Sequence, residues 1–200
     1  MSQYVNARKR KKEEIKDAFW KLYVKYNYQN NMTVKQIIDT ANINRSTFYF
    51  YYQNTTAILD DIIATLKEEI IDIYASPLRK DGNFDQFYQQ MYEYFKTRKE
   101  YLIPLVCESR HPEFALWYRN NQREKFKDDV GLGSYRLDKE KNRIIDIALS
   151  GIIEEQIQTF GHGDISIEDS FNLEYGTLQQ GLISTLNDKF GITAKTSLVL

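Results

Sequence analysis

Proline and glycine are scarce in this chain, at three and nine residues in 200. A β-protein with many tight turns needs more of both, so long uninterrupted helices are the easier architecture. Cysteine occurs once, as Cys107, which excludes an internal disulfide and fits a reducing compartment. It lies in an apolar run without a neighbouring base and reads as a core thiol. Histidine occurs twice, as His111 and His162, far apart in loop-like stretches that offer no catalytic pair. No glycine-rich phosphate loop is present. The adjacent acids Asp60-Asp61 and Glu68-Glu69 read as the solvated face of a helix. No stretch approaches about 18 apolar residues without a charge, so no transmembrane helix is expected. The basic start MSQYVNARKRKK has no apolar signal segment behind it. These gaps point away from an enzyme, from a bound cofactor or metal, and toward a cytoplasmic protein.

What the chain does have is ring surface and an uneven charge. Fifteen Tyr and eleven Phe suit a bulky core or an apolar pocket. The net charge of −1 conceals a split. Residues 1–56 hold ten Lys/Arg and four Asp/Glu, a balance of +6, which leaves −7 for the remainder. A basic head on an acidic body points to a polyanion met by the head alone. The basic run at residues 8–12 is also compatible with a solvated, frayed terminus.

Hydrophobic spacing predicts helices throughout. Over residues 7–28, Ile15, Ala18, Phe19, Leu22, Tyr23 and Tyr26 form one amphipathic face. The turn chemistry of Asn27 to Asn31 ends it. Thr33 is placed as the N-cap of a second, short helix with Val34, Ile37, Ile38 and Ala41 inward. Asn42-Ile43-Asn44 interrupts that helix, and Asn tolerates the left-handed conformation such a turn needs. A third helix should run from Arg45 to Tyr51 or Tyr52. A long fourth helix, capped by Asn54, passes through Ile58, Leu59, Ile62, Ile63, Leu66, Ile70 and Ile73.

The stretch INRSTFYFYY at residues 43–52 decides between architectures. Read as a strand, it would present rings on both faces, with no partner strands nearby. Read as a helix, it divides, with Phe48 and Tyr52 on one side and Arg45 and Tyr49 on another. Short helices joined by a tight turn describe a helix-turn-helix unit, whose last helix enters the DNA major groove.

The segment TVKQIIDTANINRSTFYFYYQNTTAIL, residues 33–59, resembles the DNA-binding signature of TetR-family bacterial transcriptional regulators, with Thr33, Ile37, Ala41, Ile43, Thr47, Phe48, Tyr49, Tyr51 and Leu59 at matching positions. Its wording also resembles a subgroup that includes regulators of dihydroxyacetone kinase operons. The resemblance is close over about the first 60 residues and extends to the body by helical layout and length. It implies an all-α fold of about nine helices. Residues 1–53 would form the helix-turn-helix DNA-binding domain, and residues 54–200 a helical regulatory and dimerisation domain. It also implies roles. Arg45 would donate bidentately to guanine, and Ser46 and Thr47 would reach base edges or phosphate. Tyr49 and Tyr51 would meet phosphate, sugar or thymine methyls. Thr33, at the positive end of its helix, would hold a phosphate, with Lys35 beside it. Arg8, Lys9, Arg10 and the rest of the basic run would follow the backbone. Asn42 stands where the family has a turn glycine. Thr55 stands where a lysine is frequent, which weakens one phosphate contact.

For the body, the resemblance implies an enclosed effector and a dimer. Tyr88, Tyr92, Phe95, Leu105, Trp117 and Tyr118 are candidates for the ligand site, although aromatic stripes at helical spacing are also what a plain core requires. Two final helices carry the dimer candidates, Ile145, Leu149 and Ile152 on one and Phe171, Tyr175, Leu178 and Leu182 on the other. The apolar arc around residues 144–153 is wide enough to need cover on two sides, from a partner or from the chain's own core. The expected protein is a ligand-responsive dimeric repressor that reads a near-palindromic operator on double-stranded DNA. The competing expectation is a helical co-regulator that keeps the fold but acts through protein contacts.

Overall fold

The computed structural model describes residues 2–75, 84–129, 139–162, 169, 181 and 184–190. Among these residues the regular structure is entirely helical. In chain order the helices are α1 (Ser2–Lys25), α2 (Val34–Ala41), α3 (Arg45–Tyr51), α4 (Thr56–Tyr74), α5 (Phe84–Leu102), α6 (Pro112–Asp129), α7 (Lys139–His162) and α8 (Ser184–Phe190), with a π-helical turn at Ile103–Cys107 after α5. The chain divides into two compact units, Met1–Ile70 and Ile71–Leu200.

In the first unit, α1 begins at Ser2, several residues ahead of the expected start. The basic run is helical because its residues are strong helix formers and because Arg10 and Lys11 both reach Glu14 within one turn. Ile15, Ala18, Phe19, Leu22 and Tyr23 are buried as the spacing predicts, and Trp20 and Lys16 join them. Two consecutive residues with positive φ, Asn27 at 53° and Tyr28 at 60°, turn the chain after α1. An aromatic residue is uncommon in that region. Here the Tyr28 ring is held edge-on to Tyr23 at 5.7 Å, and its N–H donates to the Tyr23 carbonyl at 2.8 Å.

The core of this unit closes around Phe48 and Ile37, both fully buried, with Tyr52, Ile58, Ile62 and Leu66. Truncating a ring such as Phe48 to Ala costs roughly 3–5 kcal/mol in sites of this kind. Asn54 caps α4 by accepting from the Ala57 N–H at 2.9 Å, as expected. Asp60 is exposed on α4, but its neighbour Asp61 departs from the solvated face predicted for the pair. Asp61 points at α1, where it accepts from Lys12 at 2.8 Å, Lys16 at 2.9 Å and the Tyr52 hydroxyl at 2.8 Å. Lys16 cannot be buried without a counter-charge, and Asp61 supplies it.

In the second unit, Pro104 lacks the N–H that would continue α5, and the chain widens there into a π turn. The turn is closed by the Glu108 N–H donating to the Ile103 carbonyl and the Arg110 N–H donating to that of Pro104, both at 2.9 Å. His111 then caps α6, its Nδ1 accepting from the Phe114 N–H at 3.1 Å. Leu105 and Val106 project from the turn into a core shared with α5, α6 and α7, which includes Phe95, Leu102, Phe114, Tyr118, Ile145 and Leu149.

Candidate nucleic-acid interface

The site is assembled from the starts of α2 and α3 and the basic end of α1. Thr33 has extended backbone angles, and its hydroxyl accepts from the Gln36 N–H at 3.3 Å while Gln36 Oε1 accepts from the Thr33 N–H at 2.7 Å. This is a reciprocal capping box. The Gln36 amide also donates to the Tyr26 hydroxyl at 2.6 Å, tying the start of α2 to the end of α1. Gln36 was absent from the candidate residues. Its signal was legible in the spacing Thr33-Val34-Lys35-Gln36.

At the other end of α2, Asn42 sits at φ 48°, ψ 53°, and its N–H donates to the Ile38 carbonyl. It does the work of the turn glycine because its short polar side chain tolerates the left-handed region. Two residues later Asn44 caps α3, its Oδ1 accepting from the Thr47 N–H and the Ser46 hydroxyl, both at 2.7 Å. A cleft of about 390 Å³ lies between the two helix starts, lined by Thr33, Val34, Lys35, Ile38 and Arg45.

Across this surface Thr33, Lys35, Arg45, Ser46 and Tyr49 are exposed, and Thr47, Tyr51 and Thr55 are half-buried. Arg45 and Tyr49 share a side of α3, with the guanidinium 5.5 Å from the ring centre. Phe48 points the opposite way, fully buried. Phe50 is 59% exposed and carries the Arg8 guanidinium 4.8 Å from its ring centre. The Tyr51 ring stands edge-on to Phe50 at 5.0 Å.

The basic run does not act as one charge. Arg10 and Lys11 face Glu14, Lys12 faces Asp61, and Lys16 faces both Glu13 and Asp61. Arg8, Lys9, Lys35 and Arg45 have no ion pair among the described residues. Burial would raise the Asp61 pKa, but hydrogen bonds from Lys12, Lys16 and Tyr52 outweigh it and hold the carboxyl below its ordinary range. Burial, reinforced by Asp61, pushes the Tyr52 phenol up.

No protein-family model and no curated protein matches the chain. Among solved structures, it is similar to a TetR transcriptional regulator from Streptococcus agalactiae, with a TM-score of 0.59 and 20% identity, over 86% of this chain and 96% of that one. The chain has the fold of that regulator.

Within that fold the candidate effector residues Phe95, Leu105 and Tyr118 are buried in the second unit's core, with Phe95 and Tyr118 edge-to-face at 6.1 Å. Trp117 is half-buried and stacks on Phe114 at 5.6 Å. The side chains of Tyr88 and Tyr92 lie outside the described residues. Ile145 and Leu149, which the spacing offered to a partner, are covered inside their own unit, and the apolar residue exposed on α7 is Ile147. The Ile152 side chain and Phe171, Tyr175, Leu178 and Leu182 lie outside the described residues. Cys107 is half-buried, and burial pushes its thiol up to about 12, the opposite of what a nucleophile needs. No described helix is long and apolar enough to cross a membrane.

Proposed function

We propose that the chain is a sequence-specific DNA-binding transcriptional regulator, a ligand-responsive dimeric repressor that reads a near-palindromic operator through α3. The observation that carries the reading is the pairing of Arg45 and Tyr49 on the exposed side of α3. Arg45 lines a cleft with Lys35 and the start of α2, while Phe48 on the reverse side anchors the helix in the core. The S. agalactiae TetR transcriptional regulator of the same fold supports it.

In this reading Arg45 donates to guanine O6 and N7. Ser46 and Thr47 reach base edges or phosphate, and Tyr49 and Tyr51 pack on the sugar-phosphate backbone. Lys35, Thr33, Thr55 and the unpaired end of the basic run hold phosphates. The Thr33 N–H already donates to Gln36, so its share of a phosphate contact comes through the helix-end field more than through a vacant donor. A dimer sets two α3 helices about 34–36 Å apart on successive major grooves. Because Ile145 and Leu149 are covered, the α7 face toward a second subunit is the one with Ile147 and Gly151. An effector in the second unit shifts the population between head separations.

The test is selection of duplexes from a random pool by the purified full chain, followed by binding of the recovered sequence to the Arg45→Ala/Tyr49→Ala variant. The expected result is an enriched, two-fold-related sequence whose binding the double change abolishes while helicity and oligomeric state persist. Unchanged affinity would remove α3 as the reading face. Failure to enrich any sequence would favour the co-regulator reading.

A further inference from the structure

We propose that Phe50 is a positioning residue that holds the Arg8 guanidinium in place for a DNA phosphate, a role that rests on the regulator reading above. The Phe50 ring is 59% exposed on α3, and its one described cation partner comes from α1. Arg8 lies over the ring at 4.8 Å, and the Tyr51 ring packs against it at 5.0 Å, with the two planes nearly perpendicular.

The contrast with Lys12 gives the arrangement its meaning. Arg8 and Lys12 are one helical turn apart on α1, so they share a side. Lys12 also lies over a ring, that of Tyr52 at 5.7 Å, but its ammonium is neutralised by Asp61 at 2.8 Å. Arg8 is held by a ring alone, with no carboxylate among the described residues. An aromatic face restrains a guanidinium without cancelling its charge. A carboxylate in the same place would fix Arg8 equally well and silence it. Lys12 and Lys16 therefore join α1 to α4, whereas Arg8 remains a phosphate donor beside the reading helix. Lowering its freedom in advance reduces the ordering cost of that contact.

The experiment measures the salt dependence of binding to the duplex selected by the full wild-type chain, for wild type, Arg8→Gln, Phe50→Ala, Phe50→Tyr and the Arg8→Gln/Phe50→Ala pair. Each phosphate neutralised contributes about 0.9 to the slope of log K against log salt. Arg8→Gln is expected to lower the slope by about that amount. Phe50→Ala, which changes no charge, is expected to lower it by at least half as much. Phe50→Tyr should restore it, and the pair should match Arg8→Gln alone. A Phe50→Ala slope equal to wild type overturns the proposal even if affinity falls, because the ring would then touch DNA itself. Additive losses in the pair also overturn it. If wild-type chain selects no duplex, the regulator reading fails first and this one with it. Phe50 is exposed, so its removal is expected to leave the urea midpoint unchanged.

Discussion

The Tyr52 hydroxyl donates to Asp61 Oδ2 at 2.8 Å, on a carboxylate that Lys12 and Lys16 reach at 2.8 and 2.9 Å. Tyr52 is the C-cap of α3, Asp61 lies in α4, and the lysines belong to α1, so one carboxylate ties three helices. Lys16 also donates to the Thr65 hydroxyl at 3.2 Å. Its side chain is almost wholly buried, and Asp61 is the nearer of its two counter-charges, at 2.9 Å against 3.4 Å for Glu13.

Asp61→Asn is expected to destabilise the first unit by about 3 kcal/mol, since it leaves the buried Lys16 only the exposed Glu13 at 3.4 Å as a counter-charge. Urea unfolding followed by helix content would read this as a lower midpoint with an unchanged slope. Lys16→Met should cost less, because it leaves Asp61 with Lys12 and some contact with water. Equal costs for the two would show that the buried ammonium is not what the carboxylate serves.

The same carboxylate makes stability depend on acid. Its folded pKa lies below the ordinary 3.8, so the unfolded chain takes up the proton first. The stabilisation is therefore fully present above the unfolded value and is lost as pH falls through the folded one. The wild-type urea midpoint should fall progressively below about pH 4, and Asp61→Asn should flatten that part of the curve. Parallel curves for the two proteins would assign acid sensitivity to other carboxylates.

Local chemistry made much of the first unit legible. The bounds of α2 and α3 follow from Thr33, Asn42 and Asn44, because caps and turns are decided by neighbours in sequence. Burial of Phe48 and Tyr52 follows from helical period. What spacing cannot show is which element supplies a partner. Asp61 reads as solvated beside Asp60 until α1 places Lys16 against it. Phe50 has no side until Arg8 covers its ring. Ile145 and Leu149 fit a partner's face as well as their own core, and period alone cannot choose between them.

Asn42 gives a backbone test. At φ 48° a side chain without a polar anchor is strained, by roughly 1–2 kcal/mol for an ordinary residue. Asn42→Ala should therefore lower stability by about 1 kcal/mol, and Asn42→Gly should leave it within a few tenths of wild type. The angle between α2 and α3 depends on this turn, so duplex affinity should follow the same order. If Ala and Gly behave alike in thermal unfolding, the left-handed turn is not maintained in solution.

In the second unit the Tyr74 hydroxyl donates to Gln122 Oε1 in a buried setting, while Gln122 Nε2 has no hydrogen-bond partner among the described residues. Half of the amide is thus satisfied and half is not. A buried polar atom left alone costs about 1–3 kcal/mol, whereas replacing both partners by apolar groups of similar shape is close to neutral. Tyr74→Phe removes the donor and leaves the whole amide unsatisfied, so it is expected to destabilise by about 1–2 kcal/mol. Gln122→Met removes the orphan N–H, and should cost less. The double variant Tyr74→Phe/Gln122→Met should be more stable than Tyr74→Phe and within about 1 kcal/mol of wild type, giving a coupling energy that a cycle of urea midpoints can measure. Additive losses would show that the two side chains do not share a hydrogen bond in solution.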